Sequence, residues 1–279
     1  MDITVTLTTR NRYYTTLPLC LMSIFNQTLS PKRIILVDDN KDKIFYNIPQ
    51  FKDILFLFKQ KNIGFSYFHG ESKGQVFAQQ IALENTNTEL IFKMDDDNIL
   101  ENNVLELLYN YMKDDVGMVS CLILTKDDLE RKLEYEDKIY NKIEDIYDKY
   151  NIQFIKNQDN EIKQVEHLHG SYLFKRELVD SYPLEFSPSG HREDTVTSYE
   201  IYRKGHKLLV VPQTIIWHLK EKTGGNRLFS YEKEKENELK FIDKLKEWKI
   251  VPDKIQMFED NKMVYTSKNN IKYLIYEKR

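Results

Sequence analysis

Short apolar runs that stop abruptly at polar clusters recur along this chain. Ile3-Thr4-Val5-Thr6-Leu7 alternates with the period of a strand, and Thr8-Thr9-Arg10-Asn11-Arg12 follows as a polar loop. Leu17, Leu21, Ile24 and Phe25 share one helical face behind Thr16, a fitting N-cap with Pro18 just inside it. Arg33-Ile34-Ile35-Leu36-Val37 reads as a second strand ending in Asp38-Asp39-Asn40, and Ile54-Leu55-Phe56-Leu57-Phe58 as a third strand candidate. Phe77, Ile81 and Leu83 suggest a helix. It leads into Leu90-Ile91-Phe92-Lys93-Met94, a buried-type strand that ends in Asp95-Asp96-Asp97-Asn98. Val104, Leu105, Leu108, Tyr111 and Met112 have helical spacing, and Val116 to Leu124 gives one more strand.

Further along, Lys126 to Tyr150 is a charged, tyrosine-rich stretch expected to form a helical surface excursion. Its Tyr135, Tyr140, Tyr147 and Tyr150 read as packing or partner contacts. Phe154 to Ile162 resembles a hairpin, and Tyr172-Leu173-Phe174 is apolar again. Glu193-Asp194 opens a helix through Tyr199 and Ile201 with a C-cap at Gly205. The strand Leu208-Leu209-Val210-Val211 is expected to end at Pro212, before Ile215-Ile216-Trp217-His218. Lys222 to Arg227 reads as either a lid or an ordinary surface loop. Tyr231 to Trp248 predicts an amphipathic helix, and Met257 to Tyr276 a small hairpin around Lys268-Asn269-Asn270.

Strands alternating with helices predict an α/β fold with a doubly wound, mainly parallel sheet, whose ligands sit outside the carboxyl ends of the strands. Three successive strand ends are polar here: Thr8–Arg12, Asp38–Asn40 and Asp95–Asn98. Three adjacent aspartates repel one another, and a hard, oxygen-seeking divalent ion would neutralise them, although a solvated acidic turn is the plainer reading. A Gly-x-Gly-x-x-Gly fingerprint and a P-loop are both absent, which sets aside dinucleotide and common NTPase chemistry.

Bulk properties narrow the field further. With 279 residues the chain can bury a sizeable core. A net charge of −3 without a basic block argues against nucleic acid as a partner. The two cysteines make no disulfide framework. Neither a signal sequence nor a membrane-length apolar run is visible, so a cytoplasmic protein is expected, with peripheral contact at the inner face of a membrane left open.

The order of motifs resembles the family 2 glycosyltransferases, which have the GT-A fold. The segments that carry the resemblance are Val5–Arg12, Ser23-Ile24-Phe25-Asn26-Gln27-Thr28, Ile35–Asn40, Asp95-x-Asp97, Glu193-Asp194 and Trp217-His218, spread from Ile3 to Lys220. The resemblance implies an inverting, metal-assisted transfer of a sugar from a nucleoside-diphosphate donor, most plausibly UDP-linked, to a glycan or lipid-linked acceptor. It points to Thr8, Thr9, Arg10, Arg12, Asp38, Asp39, Asp95 and Asp96 for the nucleotide sugar. Mn²⁺ or Mg²⁺ would be held at Asp97 with Asp95 and His218, and Asp194 would be the general base beside Glu193. His169-Gly170-Ser171 would shape the acceptor side. Where the family has Arg and Asn, this chain has Gln79 and Gln80, and Lys73 is the candidate compensating charge.

Alternatives remain at this stage. Asp194 is also a good helix N-cap, His218 a plausible structural histidine, and the His167/His169 pair lacks the cysteines of a zinc site. A scaffold that kept the fold without turnover, and a nucleotidyltransferase, are the competing functions. The expected organisation is a GT-A domain over 1–228, divided into a nucleotide-binding half (1–124) and an acceptor and catalytic half (125–228). A helix-plus-hairpin extension follows over 229–279, with homodimerisation among its candidate roles.

Overall fold

In a computed structural model, described for residues 2–127, 139–147, 150–156, 160–188, 190–225, 231–250, 257–259, 262–266 and 272–277, the apolar runs become one sheet with helices on both faces. The first half alternates strand and helix: β1 (Ile3–Thr9), α1 (Leu17–Phe25), β2 (Arg33–Asp38), α2 (Pro49–Gln60), β3 (Gly64–His69), α3 (Gln75–Glu84) and β4 (Leu90–Asp95). Then come β5 (Asn98–Leu100), α4 (Val104–Tyr111), β6 (Val116–Leu124) and three short strands, β7 (Ile139–Tyr140), β8 (Tyr150–Asn151) and β9 (Lys163–Val165). The rest is β10 (Tyr172–Lys175), α5 (Glu193–Arg203), β11 (Lys207–His218), α6 (Tyr231–Glu247), β12 (Met257–Glu259), β13 (Lys262–Thr266) and β14 (Lys272–Glu277).

Among the described residues, the main sheet has nine strands in the order β3-β2-β1-β4-β10-β6-β11-β5, with β9 pairing β11 off this path. β1 lies parallel to both β2 and β4, whereas β10 enters antiparallel between β4 and β6. The register brings distant residues level: Thr8 with Asp95, Thr9 with Asp38, Tyr172 with Lys93, and His218 with Asn98. Successive residues of β4 serve opposite faces, as the pleat requires. Phe92 and Met94 join the core beneath α1, α2 and α4, and Ile91 joins the core beneath α5 and α6. Both faces being covered explains the near-continuous apolar run of β4.

Two expectations about the main sheet are corrected. Ile54–Phe58 is not a strand but part of α2: Pro49 presets the first turn, and Phe51, Ile54 and Phe58 are buried at helical spacing while Lys52, Asp53, Phe56 and Lys59 face solvent. The third strand is instead the half-buried edge strand β3. Pro212 does not end its strand. β11 runs on to His218, and a register shift between Val211 and Ile215 absorbs the residue that has no N–H to donate.

The excursion expected to be helical falls partly on residues outside those described (128–138 and 148–149). Of its described part, Lys126 and Asp127 are helical, and the rest is the β7–β8 pair with a 3₁₀ turn at Ile143–Asp145, whose Ile143 joins the second core. The hairpin expected over Phe154 to Ile162 includes 157–159, also outside them. Phe154 closes a 3₁₀ turn and Lys163–Val165 pairs with β11. The C-terminal strands form a three-stranded antiparallel sheet rather than a single hairpin, with Lys268–Asn270 outside the described residues. α6 buries Phe241 and Leu245 in the second core, and Trp248, just past its end, joins them. Full burial of a side chain such as Phe241 stabilises by roughly 1.5–3 kcal/mol. No described helix is long and apolar enough to cross a membrane.

Candidate active site

The carboxyl ends of β1, β2 and β4 open onto a cleft of about 180 Å³. Thr8, Thr9, Arg10 and Arg12 line it from the first loop, Asp39 from the second, and Asp95, Asp96 and Asp97 from the third. Gln75, His218 and Gly225 complete the wall. The register explains the convergence, since three parallel neighbours must release their chain ends on the same side.

Asp96 forms the buried floor. It accepts a hydrogen bond from Thr9 Oγ1 at 2.7 Å and one from Arg12 Nη1 at 2.6 Å. Burial pushes its carboxyl up to about 7, against the pull of the Arg12 charge. Asp39 accepts from the Gly74 N–H at 3.1 Å, and Arg10 Nη1 lies 3.5 Å from the same oxygen. Its Oδ1 is buried close to Gly70 with no hydrogen-bond partner.

Asp38, expected at the nucleotide, does not reach the cleft. Tyr13, Tyr67 and Asn40 saturate its carboxylate in the core. Lys73 is likewise turned away, with its Nζ 2.7 Å from Glu71 and over the Phe77 ring. Gln75 takes the cleft position instead, donating to Asp95 at 3.4 Å. A left-handed Gly74 allows that turn: a Cβ there would come within 2.4 Å of Pro188.

On the expected metal side, Asp97 Oδ2 lies 3.4 Å from His218 Nε2 and 3.0 Å from Arg12 Nη1. Asp95 does not join this pair. It shares a face of β4 with Lys93, two residues away, and its Oδ1 faces Lys93 Nζ at 3.3 Å. Among the described residues, no three acidic, histidine or cysteine side chains gather as a metal cluster. The pair still fits a divalent ion in part, because two cis ligands at about 2.1 Å from an ion stand about 3 Å apart. Carboxylate with imidazole suits Mn²⁺ chemically, with donor oxygens left to complete the shell.

A loop straps this corner. Arg12 Nε reaches the Thr223 carbonyl and Nη2 the Glu221 carbonyl, both at 3.4 Å, and Gly225 N–H donates to the Arg10 carbonyl at 2.7 Å. The charges of Asp96 and Asp97 raise the guanidinium pKa although burial works the other way.

A second group of carboxylates begins α5. Asp194 accepts from Tyr172 O–H at 2.8 Å, Gly170 N–H at 2.9 Å and Lys93 Nζ at 3.1 Å to both oxygens. Lys93, only 3% exposed, also donates to the Gly170 carbonyl at 2.8 Å. Burial raises the Asp194 carboxyl, opposed by Lys93. Burial and the Asp194 charge raise that of Glu193 well above the usual range. Lys93 was missed as a site residue, although a lysine inside an apolar strand two residues before an aspartate is itself a signal. Gln75 was missed as well.

Of the acceptor-side candidates, Gly170 touches Asp194 through its backbone. Ser171 is fully buried, its hydroxyl accepting from Asn98 and its carbonyl from Ser120, so it does not face a ligand. His169 lies tilted against the Phe154 ring and edge-on to His167, 3.2 Å from the Thr195 hydroxyl. Burial and the charge of Arg192 drop its pKa to about 3, so its imidazole is neutral.

A mainly parallel sheet whose carboxyl ends open onto a carboxylate-lined cleft is the arrangement in which α/β folds bind their ligands. The family model for Glycosyl transferase family 2 matches residues 4–181. This chain therefore belongs to glycosyl transferase family 2, and its fold is GT-A. No match among curated proteins was found.

Solved structures with the same fold include GalNAc-T7 with UDP, GalNAc and Mn²⁺ (TM-score 0.62, 15% identity, covering 95% of this chain and 62% of that one). A second is the mannosyltransferase PcManGT from Pyrobaculum calidifontis in complex with GDP-Man and Mn²⁺ (0.58, 16%, 87% and 64%). A third is S. aureus TarS 1-349 in complex with UDP-GlcNAc (0.56, 15%, 84% and 64%). The chain thus spans less than two thirds of the length of each of these chains.

Proposed function

We propose that this glycosyltransferase moves a sugar from a nucleoside-diphosphate donor, UDP-linked in the first instance, to a hydroxyl of a glycan or lipid-linked acceptor with inversion. The observation that carries the reading is the division of the carboxylates. Asp39, Asp95, Asp96 and Asp97 line the cleft, whereas Asp194, at the start of α5, is not in its wall and is linked to it through Lys93, which it shares with Asp95. The orphaned Asp39 Oδ1 suits a base with a ring N–H, such as uracil or guanine. Asp97 and His218 would hold the divalent ion, which when bound supplies positive charge for the departing diphosphate. Arg12 adds a fixed positive charge at the same wall.

Deprotonation of the acceptor hydroxyl is assigned to Asp194. Burial makes its carboxylate a stronger base than in water, and the Lys93 ammonium favours its ionised form. One base with in-line attack gives inversion, by the geometric logic of inverting glycosidases. A second reading gives the proton to Glu193, because protein donors already occupy both oxygens of Asp194, whereas Glu193 stands beside Gly190 near the cleft residue Gln75.

Thermal-shift titration with UDP, GDP, ADP, CDP and dTDP, each with and without Mn²⁺, tests the donor side. Saturation at 100 times Kd stabilises by about 2.7 kcal/mol. A Mn²⁺-dependent rise with one nucleotide that disappears in Asp97→Ala is expected, and no rise with any nucleotide overturns the reading. With the donor known, Asp194→Asn should abolish transfer while donor binding stays intact. Survival of transfer in that variant and its loss in Glu193→Gln would move the base to Glu193.

A further inference from the structure

The two carboxylates at the start of α5 follow a turn with unusual backbone: Gly190 has φ 70° and Arg192, a non-glycine residue, φ 75°. No side chain caps the helix at Arg192. A left-handed arginine is costly and persists only where its surroundings over-determine it. Those surroundings come from α6, whose contacting residues lie beyond the stretch that matches the family.

Glu238 of α6 is 2% exposed. Its Oε1 accepts from Arg192 Nε at 2.8 Å and lies 2.5 Å from His191 Nε2, while its Oε2 accepts from Tyr147 O–H at 2.9 Å. The Arg192 guanidinium also lies over the rings of Phe241, at 5.0 Å, and Tyr147, at 5.4 Å. Two neighbouring contacts hold the approach to this turn from the same helix: Asn237 Nδ2 donates to the Phe186 carbonyl at 3.0 Å, and Lys240 Nζ to the Glu185 carbonyl at 2.7 Å. One buried carboxylate thus joins both residues that directly precede Glu193-Asp194.

We infer that Glu238 is a positioning residue: through His191 and Arg192, α6 sets where the carboxylates of Glu193 and Asp194 stand. The inference rests on the proposed role of that pair in deprotonating the acceptor. It gives the C-terminal helix a part in the reaction, in addition to covering the core. The short reach makes the coupling direct, because Arg192 and Glu193 are consecutive and the helix has no side-chain cap of its own to fix its first turn.

The test compares the full chain with Glu238→Gln, and with Tyr147→Phe as a milder variant that removes a single hydrogen bond. Amide hydrogen exchange over 186–196 should accelerate at least tenfold in Glu238→Gln and less in Tyr147→Phe, with β1 and β4 unchanged. Melting-temperature shifts with UDP and Mn²⁺ should equal those of the unaltered protein, since the donor cleft is not touched. Hydrolysis of UDP-GlcNAc, UDP-GalNAc or GDP-mannose, whichever the unaltered protein cleaves, should lose at least tenfold in kcat with KM unchanged.

Unchanged exchange over 186–196 in both folded variants overturns the inference, and so does acceleration spread evenly over the sheet. A change in KM alone would also overturn it. Should UDP shift neither protein and none of the three donors be cleaved, the sugar-transfer reading fails by itself, and the exchange measurement still decides whether α6 sets the turn.

Discussion

Replacing Lys93 by Met isolates a buried contact between one ammonium and two carboxylates. One ammonium, 3% exposed, stands 3.1 Å from both oxygens of Asp194 and 3.3 Å from Asp95 Oδ1, with the Tyr172 ring 5.7 Å away. Met keeps the length of the stem, so the cavity contribution is small and the change is mainly the loss of charge. Breaking a buried pair by removing one partner costs about 3–5 kcal/mol, because the remaining charge stays unpaired. In a chain of this size, 1 kcal/mol moves the midpoint by roughly 2–4 °C, so a fall of about 10 °C at pH 8 is expected.

The pH dependence sharpens the test. Burial already raises the folded-state pKa of Asp194 above its unfolded value, and without Lys93 it rises further. A carboxyl raised on folding binds more protons in the folded state, so its contribution to stability falls as pH rises through that range. The deficit of Lys93→Met should therefore be largest at pH 8 and shrink as pH falls and Asp194 takes up a proton. Urea unfolding followed by circular dichroism at pH 5, 6, 7 and 8 measures it. A deficit under about 1 kcal/mol at pH 8, or one that is equal at pH 5 and pH 8, would refute the reasoning.

Two further outcomes are expected. Asp39→Asn presents an amide N–H where an acceptor stood, so UDP affinity measured calorimetrically should fall by roughly 5- to 150-fold, the equivalent of about 1–3 kcal/mol, while CDP affinity changes little. An equal loss for both nucleotides would count against base readout by Asp39. Glu238, which burial alone would raise, is pulled down to about 2 by Arg192 and His191 from its ordinary 4.5. It therefore contributes about 3 kcal/mol that is present in full above pH 4.5 and is lost as pH falls towards 2. Glu238→Gln should accordingly be less stable than the unaltered protein at pH 7 and nearly equal to it close to pH 2. A constant difference in melting temperature across that range would show that the ion pair is not its source.

What could be read locally was legible. The alternation of Ile3–Leu7, the runs Arg33–Val37 and Leu90–Met94, and the polar residues that end each run placed three parallel strands with their loops on one side. Helices with a clear apolar face were legible for the same reason, since side chains three and four apart share a surface whatever the rest of the chain does. Ile54–Phe58 misled because five consecutive apolar residues carry no period. Only the burial of Phe51, Ile54 and Phe58 against the sheet distinguishes helix from strand there.

By itself, then, the sequence determined the layer architecture, the strand ends that form the cleft and the identity of the carboxylates in it. Which of those carboxylates line the cleft was decided only in three dimensions. Asp38 and Asp39 are adjacent in sequence, yet Tyr13 and Tyr67 saturate the first, whereas an oxygen of the second is buried without a partner. The partners that set the charge of the site lie far away along the chain: Arg12 from Asp96 by 84 residues, Lys93 from Asp194 by 101, and Arg192 from Glu238 by 46. No local period encodes such pairings, because they arise from the order of strands in the sheet and from the packing of α6 over α5. Burial then makes each of these contacts matter, since the interior screens charge far less than water does.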